Sequence, residues 1–430
     1  MKKIFLFFLL FLVSIPVNGE PPLLDPEEQR VIPNDPYFKH QWWADNDGTP
    51  FLIFSPISYR HSFINIKKDI DLDLPEAWAI EQGSKDCVIA ILGDGFQLDH
   101  EDLQYQIWTN PLDSSLNYSD EDKNNLVDDI HGWNFLLKNN TLNLPEKHGT
   151  DLAGIAVGSI DNGVGIAGVA PKCSVMPLVF RSPLEVINNQ TSSEQRSEAW
   201  AKAVRYAKSK RVTVISISYT LKPIQELISM EEENYEDGKI PEEQLAQLKK
   251  DYRDDLKIIY KAIREAYDAG IPVVAAAGNS DDPEVQKQKH FPAAFPEVIS
   301  VGAVSPKGEP SLFSVHGDWV NVSAPGEYIF TTSKLISDLE KTPCGFERVC
   351  TNHPNYTHVA GTSYSAPMVA GVVALLRSHY PNMSIEEIRT TLIQTGMPLH
   401  SGKRIQDEKH IGPLVKAAAA LKNPYFEEFF

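Results

Sequence analysis

VIAILGDG, Val88 to Gly95, is an apolar run that stops at Gly-Asp-Gly, and the fold turns on how it is read. Its first five residues lack the alternation of a strand that wets one face, which predicts a strand buried on both sides. The same signature recurs at VMPLVF (175–180), VTVISISY (212–219), IPVVAAAG (271–278) and EVISVGAV (297–304). Between these runs lie helical patterns: DLAGIAVG (151–158), SEAWAKAVRYAKSK (197–210) and DLKIIYKAIREAYDAG (255–270). Strand, loop and helix in repetition predict an α/β fold, a doubly wound, mostly parallel central sheet with helices on both faces.

The chain has 430 residues, 42% of them apolar, enough to bury a large core. A formal charge of -18 excludes nucleic acid as a partner, because phosphate binding needs clustered Lys and Arg. Lys2 and Lys3, the apolar run Ile4 to Val17 and the exit Val17-Asn18-Gly19 have the form of a secretory signal peptide over residues 1–19. That run is short for a membrane span, so the expectation is a secreted or periplasmic chain with no stable span after cleavage. Residues 20–60 then form an N-terminal extension and 61–425 the main domain, with an acidic helical insertion at about 221–256. An exported chain can keep disulfides. Cys344 and Cys350 are close enough to staple one loop; Cys87 and Cys173 either meet at the ends of two neighbouring parallel strands or stay as buried thiols.

Three segments carry groups that suit one chemistry. In GTSYSAPMVAGVVALL, Gly361 to Leu376, Ser363 opens a helix and Pro367 removes the N–H that would have bonded back to the Ser363 carbonyl. A serine there faces free backbone N–H groups and the positive end of the helix dipole, which favours an oxyanion beside it. In HGTDLAGIAVG, His148 to Gly158, the histidine opens another helix; in VVAAAGNS, Val273 to Ser280, Asn279 projects from the carboxyl edge of the sheet. Singly these have ordinary uses as a cap, a solvated ring and a turn residue. Together they put a nucleophile, a base and an oxyanion donor where open parallel sheets build sites.

With these motifs the chain resembles the subtilases, the subtilisin-like serine proteases of peptidase family S8. The resemblance runs from Asn34-Asp35-Pro36 and LPEAW (74–78) to a closing helix at Ile411 to Leu421. It implies a serine endopeptidase acting on polypeptides, with Ser363 as nucleophile, His148 as general base and Asn279 as side-chain donor of the oxyanion hole. It also implies that Ser218, Tyr219 and Thr220 bind substrate backbone, although the family has a glycine where Thr220 stands. Ser280, Asp281 and Asp282, around the side-chain pocket, point to basic side chains. A monomer is expected. Only about a dozen residues separate the signal from the start of the resemblance, too few for a folding prodomain.

One departure matters most. The family's first motif is a strand ending Asp-Ser/Thr-Gly or Asp-Asp-Gly, whose first Asp orients the histidine; here those positions are Gly93, Asp94 and Gly95. Alternation along a strand aims Asp94 away from His148. Asp151, three residues after His148 on the same helix, is the expected surrogate acid, acting directly or through a water in the space left by Gly93. The main reading is therefore a protease with impaired or rerouted orientation of its histidine. The rival is a pseudoprotease that binds polypeptide in the same cleft without turning it over.

In DEDKNNLVDDIHGWNF, Asp120 to Phe135, alternate oxygen donors resemble a calcium loop, so Asp120, Asp122, Asn124 and Asp128 are the expected Ca²⁺ ligands. The Glu-rich piece from Glu226 to Asp255 reads as an exposed helical excursion that turns at Gly238 to Pro241 and leaves the sheet beside the site.

Overall fold

The computed structural model describes residues 30–55, 60–181, 192–235, 239–333, 348–349, 355–399 and 409–422. The signal segment and the Cys344–Cys350 pair lie outside the described residues. Strands β1 (Phe51–Ser55) and β2 (Arg60–Ile64) form an antiparallel hairpin. The centre is a seven-stranded sheet of β3 (Val88–Gly93), β4 (Trp133–Asn134), β5 (Ser174–Val179), β6 (Val214–Ile217), β7 (Val273–Ala276), β8 (Val298–Val304) and β9 (Val322–Pro325). Its order is β4-β5-β3-β6-β7-β8-β9, parallel throughout, as the apolar runs predict. A small antiparallel sheet of β10 (Ile329–Thr332), β11 (Arg348–Val349) and β12 (Tyr356–Val359) lies beside it.

The helices are α1 (Leu74–Trp78), α2 (His148–Val157), α3 (Ser193–Ser209), α4 (Ile224–Glu232), α5 (Glu242–Asp268), α6 (Pro283–Gln286), α7 (Thr362–His379), α8 (Ile385–Thr395) and α9 (Ala417–Leu421). Helices α2 and α7 cover one face of the sheet, and α3 and α5 the other. Strand β3 shows why its sequence is apolar at every position: Ile89 and Ile91 join the core under α2 and α7, while Ala90 and Leu92 join the core under α3 and α5. Helix α5 changes character along its length. Its buried residues are Asp255, Ile259, Ala262, Ile263 and Ala266, a helical stripe confined to the second half, so the acidic first half and α4 stand outside the core.

The boundary of the N-terminal extension falls differently from the expectation. Trp42 and Trp43 are buried in the main core, and the Trp43 indole donates to the Phe330 carbonyl at 3.2 Å. From Arg30 onward the extension is thus built into the domain, because burying two indoles contributes more than an exposed leader.

The chain enters the sheet at β3, fills β4 and β5 on one side and crosses to β6 on the other, so a topological switch lies at the carboxyl end of β3. At the opposite end of the same strands, Cys87 and Cys173 form a disulfide between the residues just before β3 and β5. Its sequence separation is 86 residues. A loop of that size restricts the unfolded chain by about 4.6 kcal/mol in the loop-entropy model. Replacing both cysteines with alanine is expected to lower unfolding free energy in urea by roughly 2–4 kcal/mol; no loss would show that the bond contributes nothing to stability.

Candidate active site

The site is built from strand ends and two helix starts. Asp94 follows β3, Arg181 lies just past β5, Ser218, Tyr219 and Thr220 follow β6, and Asn279 follows β7. With His148 at the start of α2 and Ser363 in the first turn of α7, they line one open cleft of about 340 Å³. Lys222, Glu226 and His290 complete its wall. The insertion therefore does border the cleft, through Glu226 of α4, which pairs with Lys222 at 2.5 Å.

Gly361 sets the start of α7. Its φ of +143° is one that side chains rarely adopt, and a Cβ there would stand 3.2 Å from Nδ2 of Asn279 and 3.7 Å from the Ser363 nitrogen. Glycine is what lets the amide and the helix start approach one point. The Asn279 Oδ1 accepts from the Thr362 N–H and hydroxyl, both at 2.9 Å. Those donors fix which end of the amide is oxygen and turn Nδ2 outward as a donor. The Ser363 carbonyl that Pro367 leaves unbonded accepts instead from the Ser218 hydroxyl at 2.7 Å. The Ser363 hydroxyl donates to the Ser218 carbonyl at 3.1 Å, and no hydrogen bond joins it to His148 among the described residues.

The histidine is held on its far side. Its Nδ1 lies 2.9 Å from the Tyr219 hydroxyl, and its ring packs edge-on against Tyr219 and Tyr364 with centroids at 5.1 and 5.6 Å. Burial lowers its pKa from the ordinary 6.5; Asp94 opposes that and Arg181 reinforces it. Burial first, and then the nearby Asp94 charge, hold the Tyr219 hydroxyl protonated well above the usual range. Arg181 lies over the Tyr219 ring at 4.6 Å.

A family model described as the subtilase family matches residues 84–414. The chain belongs to the subtilase family. It is 28% identical over 339 residues to the major intracellular serine protease of Bacillus subtilis, covering 77% of this chain and 82% of that one. With thermitase of Thermoactinomyces vulgaris it shares 26% over 363 residues, 84% and 91% of the two chains. A solved protease from Pseudoalteromonas arctica superposes with a TM-score of 0.60 at 22% identity, over 91% of this chain and 98% of that one, which shows the shared fold.

In this subtilase the two expectations about acids are corrected. Asp94 does not aim away: β3 ends at Gly93, so strand alternation no longer governs the next residue. Its carboxylate is buried, accepts from the Gly149 N–H at 3.3 Å at the start of α2, and faces the cleft. Asp151, the expected surrogate, is fully buried on the side of α2 that meets β10. Burial first, then the neighbouring Asp94 charge, raises its pKa well above the usual range, with the Ser333 side chain opposing, and the charges that act on His148 are those of Asp94 and Arg181. Nor is there room for a water at Gly93, because a Cβ there would meet Cζ and Cε2 of Phe96 at 2.7 and 2.9 Å. Phe96, which carries no signal in the sequence, fills the place of the missing side chain.

The acidic loop does not gather the four expected ligands. Asp120 accepts from the backbone of Asn124 and Asn125, and Asp128 from that of Asn117 and Tyr118. Asp122 and Asp129 flank the Lys210 ammonium, which comes from the end of α3 and is only 12% exposed. Asp113 is buried beside Glu121, and burial and that neighbour hold its carboxyl at about 6. No group of three or more His, Cys, Asp or Glu converges to hold a metal among the described residues. Asp120, Asp122, Asn124 and Asp128 as arranged do not fit Ca²⁺; Lys210 supplies the counter-charge.

Two outcomes are expected. Gly93→Asp alone should lower the melting temperature, by about 1–3 kcal/mol of overpacking against Phe96, and Gly93→Asp with Phe96→Ala should recover part of it; an unchanged melt for the single variant would show that the ring yields freely. The melting temperature should be the same in Ca²⁺ and in chelator, while Lys210→Met, which leaves two buried carboxylates unopposed, should cost about 3 kcal/mol. A Ca²⁺-dependent rise in the wild type would restore the calcium reading.

Proposed function

We propose that this chain is an exported serine endopeptidase that hydrolyses peptide bonds through an acyl-enzyme on Ser363. The observation that carries the reading is the shared cleft: Ser363, His148 and Asn279 meet at the carboxyl edge of the sheet, and His148 is hydrogen-bonded through Nδ1, leaving Nε2 as the open nitrogen. In the reaction the Ser363 hydroxyl leaves the Ser218 carbonyl for that nitrogen, and such bonds commonly tighten only with substrate present. Ser363 Oγ attacks the carbonyl carbon while its proton passes to Nε2. Nδ2 of Asn279 and the Ser363 N–H bind the oxyanion, the imidazolium returns its proton to the leaving amine, and water repeats the sequence to release the acid. Ser218, Tyr219 and Thr220 line the same cleft, which supports their reading as the segment that pairs with substrate backbone.

Export is supported by the form of residues 1–19 and by the Cys87–Cys173 disulfide, a bond typical of oxidising compartments. No helix among the described residues is long and apolar enough to cross a membrane. The filling of the Gly93 space by Phe96 favours the rival reading, a subtilase cleft that binds polypeptide without cleaving it. An uncompensated loss of the orienting acid costs about 10⁴-fold in turnover in subtilisin itself, a relative of this chain, which leaves a slow enzyme rather than none.

Labelling of the purified protein with a fluorophosphonate, against Ser363→Ala as blank, tests the proposal. The rate is expected to rise with pH to a plateau, because the base must be neutral. Its midpoint should lie below the ordinary 6.5, since burial and Arg181 lower the His148 pKa and Asp94 only partly opposes them. Arg181→Gln removes a lowering charge and should move the midpoint up. Labelling no faster than the blank at any pH would sink the protease reading and leave the binding one.

A further inference from the structure

The cleft contains an arrangement that the family resemblance does not supply. We propose that Tyr219 and Asp94 form a two-step positioning relay that replaces the missing acid, with the phenol hydroxyl carrying the orienting effect of the Asp94 carboxylate to Nδ1 of His148. The inference rests on the acyl-enzyme reading above for its purpose, but not for its geometry.

The argument is one of donors and acceptors. For Nε2 to take a proton from Ser363, neutral His148 must carry its own proton on Nδ1, and that N–H needs an acceptor. The atom 2.9 Å away is the Tyr219 hydroxyl oxygen, which can either accept from Nδ1–H or donate to a bare Nδ1. Taken alone it leaves the tautomer open, and donation would put the imidazole proton on Nε2, the wrong nitrogen for a base. Asp94 removes the ambiguity. Its carboxylate lines the same cleft and accepts from the Gly149 N–H next to the histidine, so in the relay the phenol proton turns to Asp94 and the oxygen lone pair is left for Nδ1–H.

Each part of the relay is fixed from outside. The Gly149 N–H holds Asp94 at 3.3 Å, and Phe180 packs edge-on against the Tyr219 ring with centroids at 5.2 Å. Arg181 sits over the same ring, so the relay is the sequence carboxylate, phenol, imidazole with one cation beside it. When His148 becomes imidazolium, Nδ1–H still points at the phenol oxygen, whose negative partner is one bond further away than in a direct Asp–His pair. Coulomb attraction falls with distance, so the relay orients the ring well and stabilises its charge less.

The test uses the full chain labelled with ¹⁵N, with the His148 resonance assigned by its loss in His148→Gln. In the wild type and in Ser363→Ala, above the imidazole pKa, Nδ1 should read as protonated and Nε2 as bare. Asp94→Asn should shift the pattern towards Nε2–H, and Tyr219→Phe, which keeps the ring, should abolish any coupling of the tautomer to residue 94. Fluorophosphonate labelling should fall about 10- to 100-fold in each single variant, and in the double variant no further than in the worse single, as for residues acting as a unit. A wild type with Nε2–H, or a Tyr219→Phe protein with unchanged tautomer and a rate within twofold of wild type, overturns the relay. A wild type that keeps Nδ1–H, loses it in Asp94→Asn, and yet never labels supports the relay and sinks the acyl-enzyme reading instead.

Discussion

Burial of the central sheet on both faces constrains everything else in this molecule. Between two dry layers, the backbone groups of β3, β5, β6, β7 and β8 pair chiefly with neighbouring strands, and apart from the half-buried Val88 their residues are buried. Chemistry is confined to the places where strands stop. Parallel strands stop together, so residues far apart in the chain, Asp94, Arg181, Ser218, Tyr219 and Asn279, arrive at one edge. The two helices that open there, α2 and α7, add a histidine and a serine at their amino ends, where unpaired N–H groups already favour negative charge.

Within that frame the site handles charge at one remove. Where a direct carboxylate on the imidazole is expected, an aromatic ring fills the space and a phenol stands between the acid and the base. The acidic loop shows the same economy: its surplus of carboxylates is turned onto backbone N–H groups and one lysine. In both places a fixed dipole or a protein cation does work for which the sequence suggested a carboxylate or a metal.

How far the sequence was legible follows from the range of the forces involved. The long strands were readable because burial on two faces leaves a continuous apolar run, and Ser363, His148 and Asn279 because each sits at a helix start or strand end that glycine and proline punctuate. Strand β4, two residues long, left no such run. Asp94 was misjudged because alternation was carried one residue past the end of β3. Asp151 was misjudged because i and i+3 positions share a face only in angle; here the neighbour one turn on packs towards β10 and Ser333. Tyr219 and His148 are 71 residues apart, and Lys210 and Asp122 are 88 apart, so neither pairing leaves a spacing to read. The disulfide, left open between two readings, was decided by the pairing of β3 with β5.

The replacements around His148 make sense only as a set. With Phe96 against Gly93, an Nδ1–H directed there would face an apolar ring and stay unsatisfied, at a cost of about 1–3 kcal/mol. The Tyr219 hydroxyl removes that cost, and the carboxylate beyond it gives the phenol a direction. A carboxylate put back at position 93 would meet the Phe96 ring. The chain is therefore not a subtilase with one residue missing. Residues 93, 94, 96 and 219 form a second, internally consistent solution to holding one imidazole, and no single substitution returns it to the first.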